Sequence, residues 1–195
     1  MQSFILASQS PRRHMLLTWA DVPFEVIVSD SDETFPANME LEEVPVFIAK
    51  NKAQAVHEKI KLGYPQHINK HIVAADTIVV LEGNVLGKPA NKAEAINSLT
   101  ALSGKTHRVI TGVVLIYNGK EYTFSETTLV TFNLLTLDQI EYYVENYKPY
   151  DKAGGYAIQE WIGVVGIQSI QGDFYNVMGL PVSKLLQKIK QLEEA

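Results

Sequence analysis

The chain has 195 residues, of which 46% are hydrophobic and 20% are charged, ordinary values for a globular protein. That length fits one large domain or two closely packed lobes, and it can bury a core without covalent staples. The absence of cysteine excludes disulfides, thiolate metal sites and cysteine catalysis. A net charge of −5 argues against a broad nucleic-acid surface, although a local group of Arg and Lys can still bind a small anion.

The amino terminus, residues 1–7, is apolar but short and has no basic flank. It is predicted to be a first strand and not a signal peptide. No apolar run approaches the roughly 20 residues that a membrane-spanning helix needs. We therefore expect a cytoplasmic protein that does not engage membranes.

In chain order, the first half alternates short strands and helices. A strand is predicted at residues 4–7, then a helix with Ser10 as N-cap and Pro11 as its first residue, running to about Trp19 with the apolar Met15, Leu16 and Trp19 at helical spacing. Further elements are predicted as a strand at 24–28, a helix within 40–60 that starts near Pro45, and strands at 72–81 and 85–86.

The second half contains the strongest hairpin signal, Asn118-Gly119, between predicted strands at 106–117 and 121–134. Helices are predicted at 92–102, 137–145 and 181–192, and a glycine-containing loop at 150–156. Residues 162–170 are predicted to be a strand with a bulge near Gly166. Because hairpins interrupt the alternation of helices and strands, we expect an α/β fold with a mixed sheet flanked by helices, arranged as one domain (1–195) of two lobes around a central cleft.

The first candidate site is Ser8-Gln9-Ser10-Pro11-Arg12-Arg13, where a strand leads into a helix whose first turn carries two arginines. Free backbone N–H groups at a helix start favour an anion, and guanidinium groups can grip phosphate oxygens. Cations in a first turn oppose the helix dipole, so the pattern favours phosphate binding by Arg12 and Arg13. The alternative is two solvated arginines.

Two acidic stretches are candidates for metal binding or base chemistry. Asp30, Asp32 and Glu33 follow a predicted strand, and clustered carboxylates suit a hard cation such as Mg²⁺. Taken alone, a solvated acidic turn is the simpler interpretation. Asp76 lies within a run of Ala, Ile and Val, where an unpaired carboxylate is costly, so it is predicted to be a base, a metal ligand or half of a buried ion pair.

Three lysines and a glutamine complete the candidate residues. Lys88 lies in the turn Leu86-Gly87-Lys88-Pro89 and could reach a phosphate or Asp76. Lys50 and Lys52 belong to the same set, and Lys52 lies on the long helix; each lysine taken singly fits a surface charge. Gln159 follows the paired glycines of the 150–156 loop and offers both a donor and an acceptor, as a base edge requires. The sequence contains no zinc spacing, no P-loop, no dinucleotide-binding glycine motif and no nucleophile elbow.

Taken in order, these stretches resemble the Maf-like nucleotide pyrophosphatases from about residue 6 to residue 181. The motifs that carry the resemblance are Ser8-Gln9-Ser10-Pro11-Arg12-Arg13, Ser29-Asp30-Ser31-Asp32-Glu33, Lys50-Asn51-Lys52-Ala53, Ala75-Asp76-Thr77, Leu86-Gly87-Lys88-Pro89, Leu102-Ser103-Gly104-Lys105-Thr106-His107, Asp151-Lys152-Ala153-Gly154 and Asn176-Val177-Met178-Gly179-Leu180-Pro181. Each motif is weak alone, but the ordered set is hard to obtain by chance.

The resemblance implies an elongated α/β fold similar to that of inosine triphosphate pyrophosphatases. It also implies metal-dependent attack of water on the α-phosphorus of a nucleoside triphosphate, with Asp76 as proton acceptor. Arg12, Thr77 and Gln159 match family positions associated with base choice, and this set is similar to the subtype acting on dTTP and UTP. Tyr156 and Gln159 differ from the subtype acting on methylated guanine nucleotides, and Glu160 stands where the family more often has glycine.

Combining the two lines, we expect Glu33 and Asp76 to hold Mg²⁺ or Mn²⁺ and Asp76 to take the proton from water. The phosphate ligands expected are Ser8, Ser10, Arg12, Arg13, Lys52 and Lys88. Thr77 and Gln159 are expected to read a pyrimidine edge.

Two other interpretations stay open: a nucleotide-binding regulator of cell division or septum formation without turnover, and a purine-directed pyrophosphatase of the same fold. The carboxylates argue against the regulator, because a pure triphosphate binder gains little from anions beside its ligand. A homodimer is a reasonable expectation, and a nucleic-acid partner is not expected.

Overall fold

A computed structural model describes residues 3–194; residues 1 and 2 of the predicted apolar amino terminus lie outside it. The strands are β1 (Phe4–Leu6), β2 (Phe24–Val26), β3 (His71–Leu81), β4 (Asn84–Leu86), β5 (Thr106–Tyr117), β6 (Lys120–Phe132) and β7 (Ile167–Gln171). The helices are α1 (Pro11–Trp19), α2 (Val44–Gly63), α3 (Lys92–Leu102), α4 (Leu137–Tyr147), α5 (Trp161–Gly166), α6 (Phe174–Met178) and α7 (Val182–Glu193). Short 3₁₀ turns form at Pro65–His67 and Ala153–Gly155.

Within the described chain, the strands form one mixed sheet in the order β2-β1-β3-β5-β6-β7, and β4 pairs with β3 beside this path. β1 is parallel to both β2 and β3, with Ile5 opposite Glu25 and Ile72. β4 folds back antiparallel on β3 after the Glu82-Gly83 turn, where both residues have positive φ. The prediction of a mixed α/β sheet flanked by helices is therefore confirmed.

The chain divides into two compact units, each made of several segments. The first unit contains the described residues up to Asp76, together with Thr111–Glu126 and the segment from Gly179 onward; the second contains Thr77–Ile110 and Thr127–Met178.

The core of the first unit packs the buried face of α2 against its strands. Ala49, Ala53, Val56 and Ile60 on the helix are fully buried with Ile72 of β3. Gly112 of β5 lets the start of α2 approach closely, since a Cβ there would lie 2.2 Å from the backbone nitrogen of Val46. The long helix α2 thus packs closely on β3, the strand that carries Asp76, and on β5.

Two features stand out in the second unit: a cluster of aromatic rings and a close backbone contact. His107 stacks on Phe132, and the ring of Tyr156 meets both edge-on. Gly163 lies so close to the carbonyl oxygen of Ile158 that a Cβ would be only 1.7 Å from it. The segment leading into α5 is therefore held tightly in place.

The prediction of one strand over residues 162–170 is wrong in its first half. Residues 161–166 form α5, and only Ile167–Gln171 form a strand. The β-branched residues favour a strand, but the N–H groups of Gly163 and Val164 donate to the carbonyl oxygen of Glu160 and close a helical turn. Ile162 is then buried while Val164 faces outward, so tertiary packing decides against local propensity. The irregular register lies in β6, between Thr131 and Phe132.

Two expectations for α1 also need correction. Ser10 occupies the N-cap position, but its side chain makes no capping hydrogen bond. Trp19 is 61% exposed, because the buried side of the helix comprises Arg13, Leu16 and Leu17 at i, i+3 and i+4. An arginine therefore occupies the position that periodicity assigns to an apolar residue. Separately, none of the helices described is long and apolar enough to cross a membrane.

Candidate functional site

The turn between β1 and α1 is organised around the Ser8 side chain. Its hydroxyl oxygen accepts hydrogen bonds from the Ser10 backbone N–H at 3.2 Å and from Nη1 of Arg13 at 3.0 Å. Its carbonyl oxygen lies 2.8 Å from Nε2 of His14. Ser8 is buried, whereas Ser10 and Arg12 are half-buried. Ser8 therefore shapes the loop, and Ser10 and Arg12 are its more accessible candidate ligands.

Arg13 connects this turn to the Gly179 end of a second motif. Its side chain donates from Nε to the Gly179 carbonyl oxygen at 2.8 Å, and the residue is only 8% exposed. Burial lowers the pKa of Arg13, and the charge of Asp76 opposes this shift by favouring the cation. Arg13 is thus a buried cation facing an acidic group, with hydrogen bonds that fix the start of α1.

Lys52 holds the two predicted metal ligands together. Its Nζ lies 2.6 Å from Oδ1 of Asp76 and 2.8 Å from Oε1 of Glu33. The side chains of Lys52 and Asp76 are 16% and 14% exposed, while that of Glu33 is 51% exposed. Because both oxygen atoms contact the same nitrogen, Oδ1 of Asp76 and Oε1 of Glu33 can be no farther apart than the sum of the two distances. The structure therefore brings together three residues that are distant in sequence.

The remaining acids of the Asp30–Glu33 stretch behave differently from Glu33. Both carboxylate oxygens of Asp32 accept hydrogen bonds from Thr34, one from its backbone N–H and one from its hydroxyl. These hydrogen bonds lower the pKa of Asp32. Asp30 is exposed. Asp32 thus forms a local turn, as Asp side chains often do.

The pair formed by Glu33 and Asp76 fits one kind of metal site and not another. Over residues 3–194, no group of three or more His, Asp or Glu side chains could hold a metal ion. Mg²⁺ is commonly held by one or two carboxylates together with water and substrate phosphates, and a carboxylate pair converging on one ammonium group fits that pattern.

The other predicted site residues belong to the second unit. Thr77 directly follows Asp76 on β3 and is half-buried. Lys88 is exposed, in a turn whose Gly87 carbonyl oxygen accepts from the Gly154 N–H at 3.0 Å. Gln159 is half-buried, and its Oε1 is buried with no hydrogen-bond partner in the described part of the chain. The structure thus ties the Lys88 turn to the paired glycines that precede Gln159.

Sequence reasoning missed a polar network beside Gln159. The Tyr143 hydroxyl of α4 donates to Oε2 of Glu160, and it accepts from the Ala157 N–H at 3.1 Å. Nζ of Lys152 lies 2.7 Å from Oδ1 of Asp151 and 3.5 Å from Oε1 of Glu160. The Asp151-Lys152-Ala153-Gly154 motif contains two members of this network, and Glu160 was noted as a departure from the family pattern. Tyr143 gave no signal, because a tyrosine on the buried face of an amphipathic helix is typical of a core residue.

His107, in another motif noted above, lies in the core. Its Nε2 is 2.7 Å from the Tyr156 hydroxyl, and burial lowers the pKa of His107 to about 4. Burial also raises the pKa of Tyr156, so both side chains are neutral near pH 7. This pair stabilises the loop that carries Gln159.

Comparison with known proteins gives a consistent result over nearly the whole chain. The family model described as "Maf-like protein" matches residues 3–192. A dTTP/UTP pyrophosphatase of Porphyromonas gingivalis is 45% identical over 192 residues, covering 98% of this chain and 94% of that protein. Proteins of the same name from Parabacteroides distasonis and Bacillus mycoides are 48% and 47% identical, covering 95% and 99% of this chain and 94% and 97% of their own lengths.

Among solved structures, the Staphylococcus aureus Ham1 protein is similar at a TM-score of 0.43 and 14% identity, covering 67% of this chain and 72% of its own. That likeness is too distant to bear on function. The full-length family match and the close relatives confirm the resemblance carried by the ordered motifs. The chain belongs to the Maf-like family.

Proposed function

We propose that the protein hydrolyses dTTP and UTP to the nucleoside monophosphate and pyrophosphate, as the names of its relatives describe for them. The observation that carries the proposal is the Lys52 ammonium group in contact with both Asp76 and Glu33. Lys52 thereby links Asp76, a shielded carboxylate suited to accept a proton from water, to Glu33, a more exposed carboxylate that a cation can reach.

Asp76 is the general base in this proposal. Its side chain is 14% exposed, and its Oδ1 lies 2.6 Å from Nζ of Lys52. An ionised carboxylate can take the proton of an attacking water. Lys52 has three N–H donors, of which two face Glu33 and Asp76, so a phosphate oxygen can take the third.

Glu33 and Asp76 are the proposed ligands of a divalent ion, Mg²⁺ or Mn²⁺. Bound there, such an ion would neutralise charge on the phosphates. The chain contributes further positive charge through Arg12, Arg13, Lys52 and Lys88, and hydrogen-bond donors through Ser8 and Ser10. Arg13 already donates from Nε to the Gly179 carbonyl oxygen and from Nη1 to the Ser8 hydroxyl oxygen, whereas the Ser8 hydroxyl accepts in the second bond and keeps its own proton to donate.

Thr77 and Gln159 are the proposed readers of the base. The buried Oε1 of Gln159 supports this role, because an unsatisfied buried amide oxygen is costly unless a ligand supplies a donor. Uracil and thymine offer such a donor at N3. The single-domain organisation, the cytoplasmic location, the homodimer and the absence of a nucleic-acid partner stay predictions.

The test is pyrophosphate release, with and without Mg²⁺, from dTTP, UTP, CTP, dCTP, ATP, GTP and ITP. Metal-dependent release from dTTP and UTP above the others is expected. Preference for ATP, GTP or ITP would favour the purine-directed enzyme. Nucleotide binding without release from any of them would contradict the proposal and favour the regulator without turnover.

A further inference from the structure

In the segment before α5, one side chain keeps a polar atom without a hydrogen bond, while its neighbours are hydrogen-bonded. Gln159 keeps an unsatisfied Oε1 among residues 3–194, whereas Ala157 and Glu160 are both bonded to Tyr143. A buried amide oxygen without a donor destabilises the protein, and a bound donor would remove that cost. Gln159 therefore stands out as the side chain of this segment that has a hydrogen bond still to form.

Tyr143 fixes the segment from both sides of Gln159. Its hydroxyl accepts from a backbone N–H two residues earlier and donates to a carboxylate one residue later. Lys152 then reaches the same carboxylate at 3.5 Å from a side chain that is 9% exposed. The backbone of Gln159 is thereby tied to α4 through one phenol.

A second contact closes the segment from the other direction. Gly163 of α5 packs directly against the carbonyl oxygen of Ile158, the residue before Gln159. Any shift of residues 157–160 would therefore break a hydrogen bond to Tyr143 or collide with α5. The backbone that carries the Gln159 side chain therefore has little freedom to move.

This polar arrangement is a costly way to stabilise a core. Tyr143 is fully buried and Lys152 is nearly so, and a buried charge must be paired to be tolerated. Well-packed apolar residues often give equal or greater stability than a buried ion pair. A network of this kind is better explained by the geometry it imposes.

Geometry matters because a glutamine amide can match either pyrimidine pattern. Uracil and thymine present an N3–H donor beside the O4 acceptor, and cytosine presents an N3 acceptor beside an amino donor. A freely rotating amide could satisfy both by exchanging its oxygen and nitrogen. Discrimination therefore requires that the amide be held in one orientation, and unpaired polar groups then penalise the wrong base.

We propose that Tyr143, Glu160 and Lys152 are positioning residues that orient Gln159 and so set the preference for uracil and thymine over cytosine. The inference rests on the proposed function, because it assumes that Gln159 meets the base. The three residues act through Gln159 and do not touch the substrate.

The experiment measures the ratio of the dissociation constant of dCMP to that of dTMP by calorimetry, which does not depend on turnover, and the ratio of kcat/KM for dTTP to that for dCTP. Preference for thymine makes both ratios greater than one. Tyr143→Phe removes the hydroxyl and is expected to lower both ratios at least about tenfold. Glu160→Gln can still accept from Tyr143 and should keep most of the preference. Tyr142→Phe is the matched control on α4, since its ring lies tilted against Trp161 at 4.8 Å between centroids, and it should leave both ratios unchanged.

A double-mutant cycle separates positioning from general stability. In a Gln159→Ala background, adding Tyr143→Phe should not lower the ratios further, because the group that is positioned has gone. Equal losses on thymine and cytosine nucleotides, or an additional loss in that background, would overturn the inference. If Tyr143→Phe does not fold, Glu160→Ala serves in the same cycle.

The outcome also distinguishes this inference from the proposed function. Wild-type protein that releases pyrophosphate from dTTP, with ratios insensitive to Tyr143, overturns only the positioning role. Wild-type protein that binds neither dTMP nor dCMP overturns the base-reading premise and the inference with it. Selective dTMP binding that Tyr143→Phe weakens, without pyrophosphate release by the wild type, supports the positioning inference while contradicting the enzyme.

Discussion

The two units differ in how their candidate residues are held. In the first unit, charged side chains contact one another directly, with the Lys52 ammonium group between the carboxylates of Glu33 and Asp76. In the second, Gln159 is neutral, and the groups that secure it form a network behind it. Charge can act on phosphates at a distance through Coulomb forces, whereas base recognition depends on the direction of short hydrogen bonds. The charged arrangement of the first unit therefore suits phosphate chemistry, and the network around Gln159 in the second unit suits discrimination between bases.

The largest effect should come from Asp76→Asn in the first unit. Losing a general base typically lowers the rate about 10²–10⁴-fold, so kcat for dTTP should fall within that range. Thermal unfolding should show that the fold persists, because Asn is isosteric and can still accept from Lys52. Pyrophosphate release near the wild-type rate would contradict the role of Asp76 and remove the main contrast between the units.

The next effect separates two lysines on one helix. Lys52→Met should lower kcat about 10²-fold, since it removes the cation that holds Asp76 and Glu33. Lys50→Met is the matched control, because Lys50 pairs with Glu121 at 2.8 Å and lies largely in solvent. The control should retain wild-type kinetics and change the free energy of unfolding by less than about 1 kcal/mol. Equal losses in both variants would mean that the helix tolerates neither change.

A third comparison tests the close backbone contact in each unit. Gly112→Ala and Gly163→Ala would place a Cβ 2.2 Å and 1.7 Å from a backbone atom, so each should lower the free energy of unfolding by about 3 kcal/mol. Gly63→Ala is the control, because no atom lies within 4 Å of its Cβ position at the end of α2. Urea titration should find that variant at least as stable as wild type. Little loss in Gly163→Ala would indicate a more pliable segment before α5 than the positioning role requires.

The smallest effect is pH-dependent and belongs to the second unit. The pKa of His107 is lowered to about 4 in the folded protein, against 6.5 as its ordinary value. Unfolded chains therefore bind the proton first as pH falls, so the stability tied to neutral His107 is intact above about 6.5 and is lost towards about 4. At pH 5 the loss should be about 2 kcal/mol.

Urea unfolding at pH 7 and pH 5 checks this, with His107→Gln as reference. The variant retains a group that can bond to Tyr156 but does not titrate. Its stability should fall less between the two pH values than that of the wild type. Parallel losses in both proteins would assign the pH dependence to other groups.

The sequence by itself determined the family, most elements and the identity of the candidate residues. Strong local signals sufficed for α3 and β5, whose bounds match the prediction, and for the Asn118-Gly119 turn. Asp76 was identifiable because a carboxylate in an apolar run must find a partner.

Only the tertiary structure decided what those residues contact. Lys52 meets Asp76 across 24 positions of chain, and Arg13 meets Gly179 across 166, and no local pattern encodes such distances. The same reason explains the misassigned α5, the exposed Trp19 and the unforeseen Tyr143: periodicity records which residues could be buried, whereas packing selects which are. Local propensities are worth tenths of a kcal/mol per residue, and the burial of one side chain outweighs several of them.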